Sequence, residues 1–415
     1  MSQREGKGAS RLFTRNFTLL LLGQLFSLIG NGALKFALSM YVLEETGSAA
    51  VFGTLLAVSM VPTILLTPFG GVLADRANRR SIMVGLDLTS GAAVLAACAA
   101  FSAGRGLAVT AALLIVLSVL GAFESPTVQA CVPQMLSGDN VLRGNAAVNQ
   151  AAAVTGLAVP FLGSLLYVTF GIRPVLAGTA VCFLLTAALE CFIRLPAPPP
   201  APRQGVGAVL REDLLGSARF LVRERRAVLD LLLYAALVSF FIAGVAVVGL
   251  PYLVRSELGL SAQVYGVVES AMGLAAILGG LSVGLLPNVI PMRRLNRLVT
   301  AVGACMVLAG CGLVLPLGAL GRCALLAAFF CAGQAGVSVF SIFAVSAIQQ
   351  RTPEQMTGKV MACVSTISLC AQPLGQLAYG LLFDAAAGSA WTVLLATGAA
   401  VCALGGGSGR VFEKF

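Results

Sequence analysis

Histidine is absent from all 415 residues, and charge is scarce: 11% of the chain is ionisable as Asp, Glu, Lys or Arg. Without histidine, the common mixed Cys/His zinc sites and histidine-based catalytic triads are excluded. The 11 cysteines form no CxxC pairs and lie mostly inside apolar runs, where free cysteine acts as a small packing residue. No disulfide framework is implied. There is no nucleotide-binding P-loop, so ATP-driven transport lacks its motor, and no His/Glu zinc motif, which disfavours an intramembrane enzyme. No metal or cofactor is expected. No basic surface studded with aromatics points to nucleic acid.

Apolar side chains, by contrast, make up 58% of the sequence, and glycine contributes 47 residues. Soluble domains are about a quarter charged and about half apolar, so lipid must be part of the solvent here. A transmembrane barrel would show short alternating segments, whereas these runs are long and continuously apolar. The expected class is therefore an all-α polytopic membrane protein. The opening MSQREGKGASRLFTRNFTLL is basic and then apolar, like a signal peptide, but the apolar run continues to about Leu43 without a small-residue cleavage site.

A hydrocarbon core needs about 20 apolar residues per helix. Such runs fall near 17–43, 50–74, 81–101, 107–131, 145–169 and 175–193, then near 228–254, 264–286, 298–316, 323–349, 360–383 and 390–407. Twelve spans follow, the last weakened at its end by Gly405, Gly406 and Gly407. The predicted organisation is a tail at 1–16, a six-helix half at 17–193, a linker at 194–227, a second half at 228–407 and a tail at 408–415. The linker opens with LPAPPPAP, a stiff stretch. In it Leu214, Leu215, Ala218, Leu221 and Val222 recur at helical spacing, as in a helix lying on a membrane surface. With the N-terminus inside, the cytoplasmic segments hold 22 of the 27 Lys and Arg residues and the outer loops hold 4, with Lys35 inside a span. By the positive-inside rule both termini and the linker are cytoplasmic, in a plasma or inner membrane.

The chain also repeats. Ser27, Gly32 and Gly47 match Ser239, Gly244 and Gly259 at an offset of 212, and Phe52-Gly53 matches Tyr265-Gly266 at 213. Pro160 matches Pro373 at 213, while Gly163 and Tyr167 match Gly375 and Tyr379 at 212. The register holds from the first to the fifth span of each half. This is the pattern of parallel repeats whose interface opens to either side in turn.

Between spans 2 and 3 the chain reads Gly71-Val-Leu-Ala-Asp75-Arg76-Ala-Asn-Arg79-Arg80. This loop resembles the signature of the major facilitator superfamily: glycine, three residues, Asp-Arg, one residue, glycine, two basic residues. Asn78 stands where the second glycine is usual, and asparagine tolerates a left-handed turn better than most residues. The resemblance covers essentially the whole chain. It is nearest to the macrolide-efflux and siderophore-export branch through VLEETGSAAVFG, SPTVQACVPQML, RGNAAVNQ and QQRTPEQMTGKV. The arginine motif of span 4 in many proton-coupled exporters is missing, and the span-5 antiporter motif survives only as Gly156-LAVP-FLG-Ser164. The resemblance implies two six-helix pseudo-symmetric halves, alternating access, and an Asp75 that faces the start of span 11 to latch the cytoplasmic side. Helix N-termini attract such carboxylates. Arg79 and Arg80 would steady the carboxylate or bind lipid headgroups; the alternative is a basic loop that only fixes topology. The loop after span 8 keeps Arg293 and Arg294 but has no aspartate.

Polar side chains in lipid are costly and mark pathways. Span 1 carries Gln24, Ser27, Asn31, Lys35 and Ser39 on one helical face. Span 11 carries Ser365, Ser368, Gln372, Gln376 and Tyr379, and span 10 offers Gln334, Ser338 and Ser341. These are candidate substrate-pathway residues, with interhelical hydrogen bonding as the alternative. Ala153, Gly156, Pro160 and Gly163 give span 5 a small-residue packing face. Without histidine, proton coupling would fall to carboxylates, and Glu124 and Glu269 lie well inside spans. Glu269 lies at about the depth of Lys35 and would pair with it if spans 1 and 8 meet; otherwise Lys35 snorkels outward. Asp87, Glu190, Asp230 and Asp384 are expected to be solvated near span ends or paired locally, Glu190 for instance with Arg194 four residues on. The expected function is secondary transport: efflux of an amphiphilic small molecule (drug, macrolide or siderophore-like) by a monomer that exchanges it for protons among membrane lipids. A lysolipid-type flippase or an importer of the same fold is the alternative.

Overall fold

The computed structural model describes residues 12–101, 105–195, 226–285, 295–352 and 354–409. Within these lie twelve helices: α1 (Arg15–Thr46), α2 (Ala49–Arg76), α3 (Arg79–Ala100), α4 (Gly106–Met135), α5 (Asp139–Phe170) and α6 (Ile172–Glu190), followed by the second six. These are α7 (Arg226–Gly244, continued through Val245–Gly249, Leu250–Tyr252 and Leu253–Glu257), α8 (Ala262–Leu285), α9 (Leu295–Val314), α10 (Ala319–Gln350), α11 (Glu354–Ala385) and α12 (Trp391–Gly407). Ten are long and apolar enough to cross a membrane, and α12 is a shorter apolar helix of 17 residues. Leu65, Leu278 and Leu381 are exposed on the bundle surface, as lipid-facing residues are. The ten described cysteines are free. The predicted linker helix, the loop with Arg293 and Arg294, and both predicted tails apart from residues 12–16 and 408–409 fall outside the described residues.

Local sequence sets the helix ends. The Thr14 hydroxyl accepts the Phe17 N–H at 3.3 Å to start α1, and Ser48 accepts the Val51 N–H at 3.1 Å to start α2. Between them Gly47 takes φ 61°, and its repeat partner Gly259, between α7 and α8, takes φ 65°. A left-handed position of this kind favours glycine. Pro251 sits between the two π-helical stretches of α7, where the regular hydrogen-bond ladder is interrupted.

The repeat seen in the sequence is a repeat in packing. In the first half α1 lies on α5, α2 on α4, and α3 on α6; in the second, α7 lies on α11, α8 on α10, and α9 on α12. The halves meet along two seams, α2 against α11 and α5 against α8. Matched glycines serve both. A Cβ on Gly53 would strike the α11 backbone at Gln376, and one on Gly266 would strike Ser164 and the Pro160 carbonyl of α5. On α5, Gly156 meets Gly273 of α8, and Gly163 lies against Ala33 and Phe36 of α1, so its small-residue face is a packing face. The glycines closing α12 are not only a weak end: a Cβ on Gly405 would strike the α9 backbone at Thr300.

Candidate transport pathway and gates

The polar face of α1 is not one continuous lining. Gln24 and Ser27 are buried, Asn31 and Ser39 are half-buried, and Lys35 is exposed although it lies mid-helix, deep among the other helices. The Ser27 hydroxyl donates to Glu124 Oε1 at 3.2 Å, and Lys35 and Glu124 attract one another. Helices α1 and α4 thus bring Ser27, Lys35 and Glu124 into one polar group in the first half.

The expected Lys35–Glu269 pair does not form. Spans 1 and 8 do meet, but through rings: Phe36 stacks on Tyr265 with centroids 5.6 Å apart and planes at 21°. Successive helical residues point about 100° apart at 3.6 residues per turn, so seating Phe36 against α8 turns Lys35 toward α4. Glu269 is left with the Tyr265 hydroxyl one turn away on its own helix.

The stripes on α10 and α11 divide likewise. Ser338 donates to the Ala276 carbonyl of α8 at 2.9 Å, an interhelical packing bond. Tyr379 is buried, its hydroxyl 2.8 Å from Thr397 Oγ1 of α12, which points it into its own half. Gln334 and Gln372 are half-buried, while Gln376 is buried at the α2 seam with Oε1 unpartnered.

In the signature loop Gly71 has no described neighbour within 4 Å of a would-be Cβ, and Arg76 is exposed. Asn78 does not take up a left-handed turn: its φ is −68°, and its side chain accepts the Ser81 N–H at 3.4 Å as the cap of α3. Capping explains asparagine here better than turn tolerance does. Arg79 donates to the carbonyls of Ala74 and Ala130, each at 2.7 Å, and Arg80 donates to that of Cys191. Both arginines therefore tie helices of the first half together. The side chains of Asp75 and of 353–359, where the predicted latch would close, lie outside the described residues.

At the opposite end of the bundle a polar lock appears that sequence reasoning missed. Asp384, at the close of α11, reaches across the seam to the start of α2: its Oδ2 accepts from the Ser48 hydroxyl at 2.5 Å and its Oδ1 from the Ala49 N–H at 2.6 Å. Far from being solvated or paired locally, it caps a helix of the other half. Beside it Glu44 of α1 pairs with Arg255 of α7 and accepts the Tyr167 hydroxyl of α5 at 2.5 Å. Arg255 also donates to the Leu260 carbonyl at 2.6 Å, and the second π-helical stretch of α7 carries it to this place. Phe161 N–H of α5 meets the Ser270 hydroxyl of α8 at 3.1 Å nearer mid-depth. The only sequence signal for the lock was that charges are rare at this end. Glu190 also departs from expectation: it is buried and faces Asp87, while Arg194 is exposed and its backbone N–H goes to Asn16.

The family model for the Major Facilitator Superfamily matches residues 20–376. The chain belongs to this superfamily. Macrolide efflux protein A of Streptococcus pyogenes is 22% identical over 388 residues, covering 92% of either chain. The enterobactin exporter EntS of Citrobacter koseri is 26% identical over 361 residues, covering 83% of this chain and 79% of its own. Among solved structures, a bacterial homologue of the iron transporter ferroportin in its inward-facing state superposes with a TM-score of 0.71 at 18% identity, covering 96% of this chain and 98% of that one. At that identity the likeness is one of fold. This major facilitator is a multi-pass membrane transporter and not an enzyme. The GxSxG string at Gly280–Gly284, a hydrolase signature elsewhere, lies inside α8, where the Ser282 hydroxyl is bonded to the Gly279 carbonyl at 2.7 Å.

Proposed function

We propose that this transporter exports an amphiphilic small molecule in exchange for protons, as a monomer in the plasma or inner membrane with both termini and the 194–227 linker cytoplasmic. The halves at 17–193 and 228–407 rock about the α2–α11 and α5–α8 seams. In this orientation the Glu44–Arg255 and Ser48–Asp384 contacts form the external gate, and the loop from Gly71 to Arg80, with Asp75 against the start of α11, forms the cytoplasmic one. Export is supported by the efflux relatives that match along most of the chain.

One observation carries the coupling: Glu124, deep in α4, is held by a hydroxyl of α1 and attracted by Lys35 of the same helix. A carboxylate with a neutral donor and a cation within reach can give up and regain a proton as α1 shifts. Substrate entering between the halves would meet Asn31, Lys35 and the half-buried glutamines Gln334 and Gln372. Glu269, set against Tyr265, is the second candidate carrier. The test is uptake of a labelled macrolide or catecholate siderophore into inside-out vesicles, driven by an imposed proton gradient. Accumulation that an uncoupler abolishes supports the reading. Gradient-independent movement of lysolipid, with neither solute accumulated, would replace it with the flippase alternative.

A further inference from the structure

Behind α1, away from both seams, two carboxyl groups are buried against each other. Asp87 of α3 and Glu190 of α6 are 2% and 1% exposed, and their carboxyls lie in hydrogen-bonding contact. Asp87 Oδ1 and Glu190 Oε2 are fully buried and meet no donor among the described residues. The Thr186 hydroxyl, one turn before Glu190, is committed elsewhere, to the carbonyls of Gly23 and Cys182 at 3.1 and 3.0 Å. Among the described residues no cation answers the pair. Arg79 and Arg80 donate to backbone carbonyls, and Lys35 is directed to Glu124. The other titratable groups that act on it are Glu124 from α4 and Cys191 just past α6, both of which would add negative charge, with Cys131 of α4 near Glu190.

Two ionised carboxylates cannot rest in contact in such surroundings without a positive partner. A metal ion is one answer, but hard cations ask for six or more oxygen ligands, and no group of three metal-ligating side chains exists among the described residues. A single proton shared between the two carboxyls turns repulsion into a short charge-assisted hydrogen bond. We propose that Asp87 and Glu190 form a proton-binding site of the first half that holds one shared, exchangeable proton. The site is joined to Glu124 through α1. Gly23 allows Glu190 to approach, with Cγ 3.8 Å from a would-be Cβ, and Ser27 on the same face one turn away holds Glu124. Occupation of one site therefore bears on the other through the seating of a single helix.

The role of the pair in transport rests on the proton-coupling reading above, but its existence does not, so the test uses neither substrate nor gradient. The full chain in lipid nanodiscs is examined by infrared difference spectroscopy for the C=O stretch of a protonated carboxyl that shifts in D2O. Wild-type protein should show such a band. Asp87→Asn, Glu190→Gln and the double variant should each lose that same band once, because one proton serves both groups and the amide supplies the missing donor. Two different bands lost separately, or no change in any variant, would overturn the proposal. So would a wild-type band that appears only after metal chelation, which would assign the pair to a metal cation. The wild-type measurement does not depend on the variants folding, and its failure would leave the transport reading standing.

Discussion

Along the seams, the second half of the chain copies the first; inside the halves it does not. Gly53 and Gly266 do the same work at matched positions, admitting the backbone of a helix from the other half. Gly47 and Gly259 make the same left-handed turn. The interiors differ. The first half encloses Ser27, Lys35 and Glu124 and, behind them, Asp87 and Glu190, with α1 packed along α6. In the second half the matching helices α7 and α12 only touch. Between Tyr234, Phe241, Ala400 and Leu404 they leave an apolar groove of about 580 Å³. The interior of the second half is held by rings and hydroxyls such as Tyr379 with Thr397, and Glu269 meets Tyr265. Rocking needs the seams to be alike. On the proposed reading, energy conversion needs only one set of ionisable groups, which would leave the second half free to be a packed counterweight.

If the seams are alike, Gly53→Ala and Gly266→Ala should each destabilise the protein by about 1–3 kcal/mol, the usual range for overpacking a close contact. Thermal unfolding in detergent checks this. A loss at one seam only would break the symmetry. Next, Asp384→Asn removes a full charge from the start of α2. Contacts of this kind are worth about 0.3–1 kcal/mol, up to about 2 when partly buried. The population open at the Glu44 end should rise by up to about thirty-fold. Reactivity of cysteines engineered at that end reports it, and unchanged reactivity would reduce the contact to a helix cap. Smaller still is the Glu44–Arg255 pair, whose side chains are 39% and 18% exposed. A double-mutant cycle on it should return a coupling of about 0.5–1 kcal/mol, in keeping with a solvent-screened pair. The smallest effect is expected of Gly71→Ala: with no described neighbour, it should leave stability unchanged or raise it by up to about 1 kcal/mol. Impaired transport in that stable variant would show that the glycine serves another conformation.

Much of this was legible in the chain. Hydrophobic runs gave the helices, because lipid leaves the backbone few other options, and the offset of 212 to 213 gave the repeat. Candidates were found wherever a polar residue sat in an apolar run, as with Ser27 and Glu124. Partners were harder. Lys35 and Glu269 share a depth, yet the choice between α4 and α8 was made by Phe36, an apolar residue whose stacking no charge pattern announces. The local pairing expected of Glu190 with Arg194 failed because the helix ends at Glu190, so the four-residue spacing no longer brings the two together. Asp384 looked like a terminal, solvated charge because its partner lies 335 residues away in the chain. Sequence shows which residues are costly to bury, and packing decides what answers them.

The asymmetry between the halves is tested most directly by proton-driven accumulation in inside-out vesicles, comparing Glu124→Gln with Glu269→Gln at matched expression. Glu124→Gln should fall to the level of vesicles without the transporter while still binding substrate, and Glu269→Gln should keep most of its accumulation. Full accumulation by Glu124→Gln, or its loss in Glu269→Gln alone, would contradict the assignment of coupling to the first half.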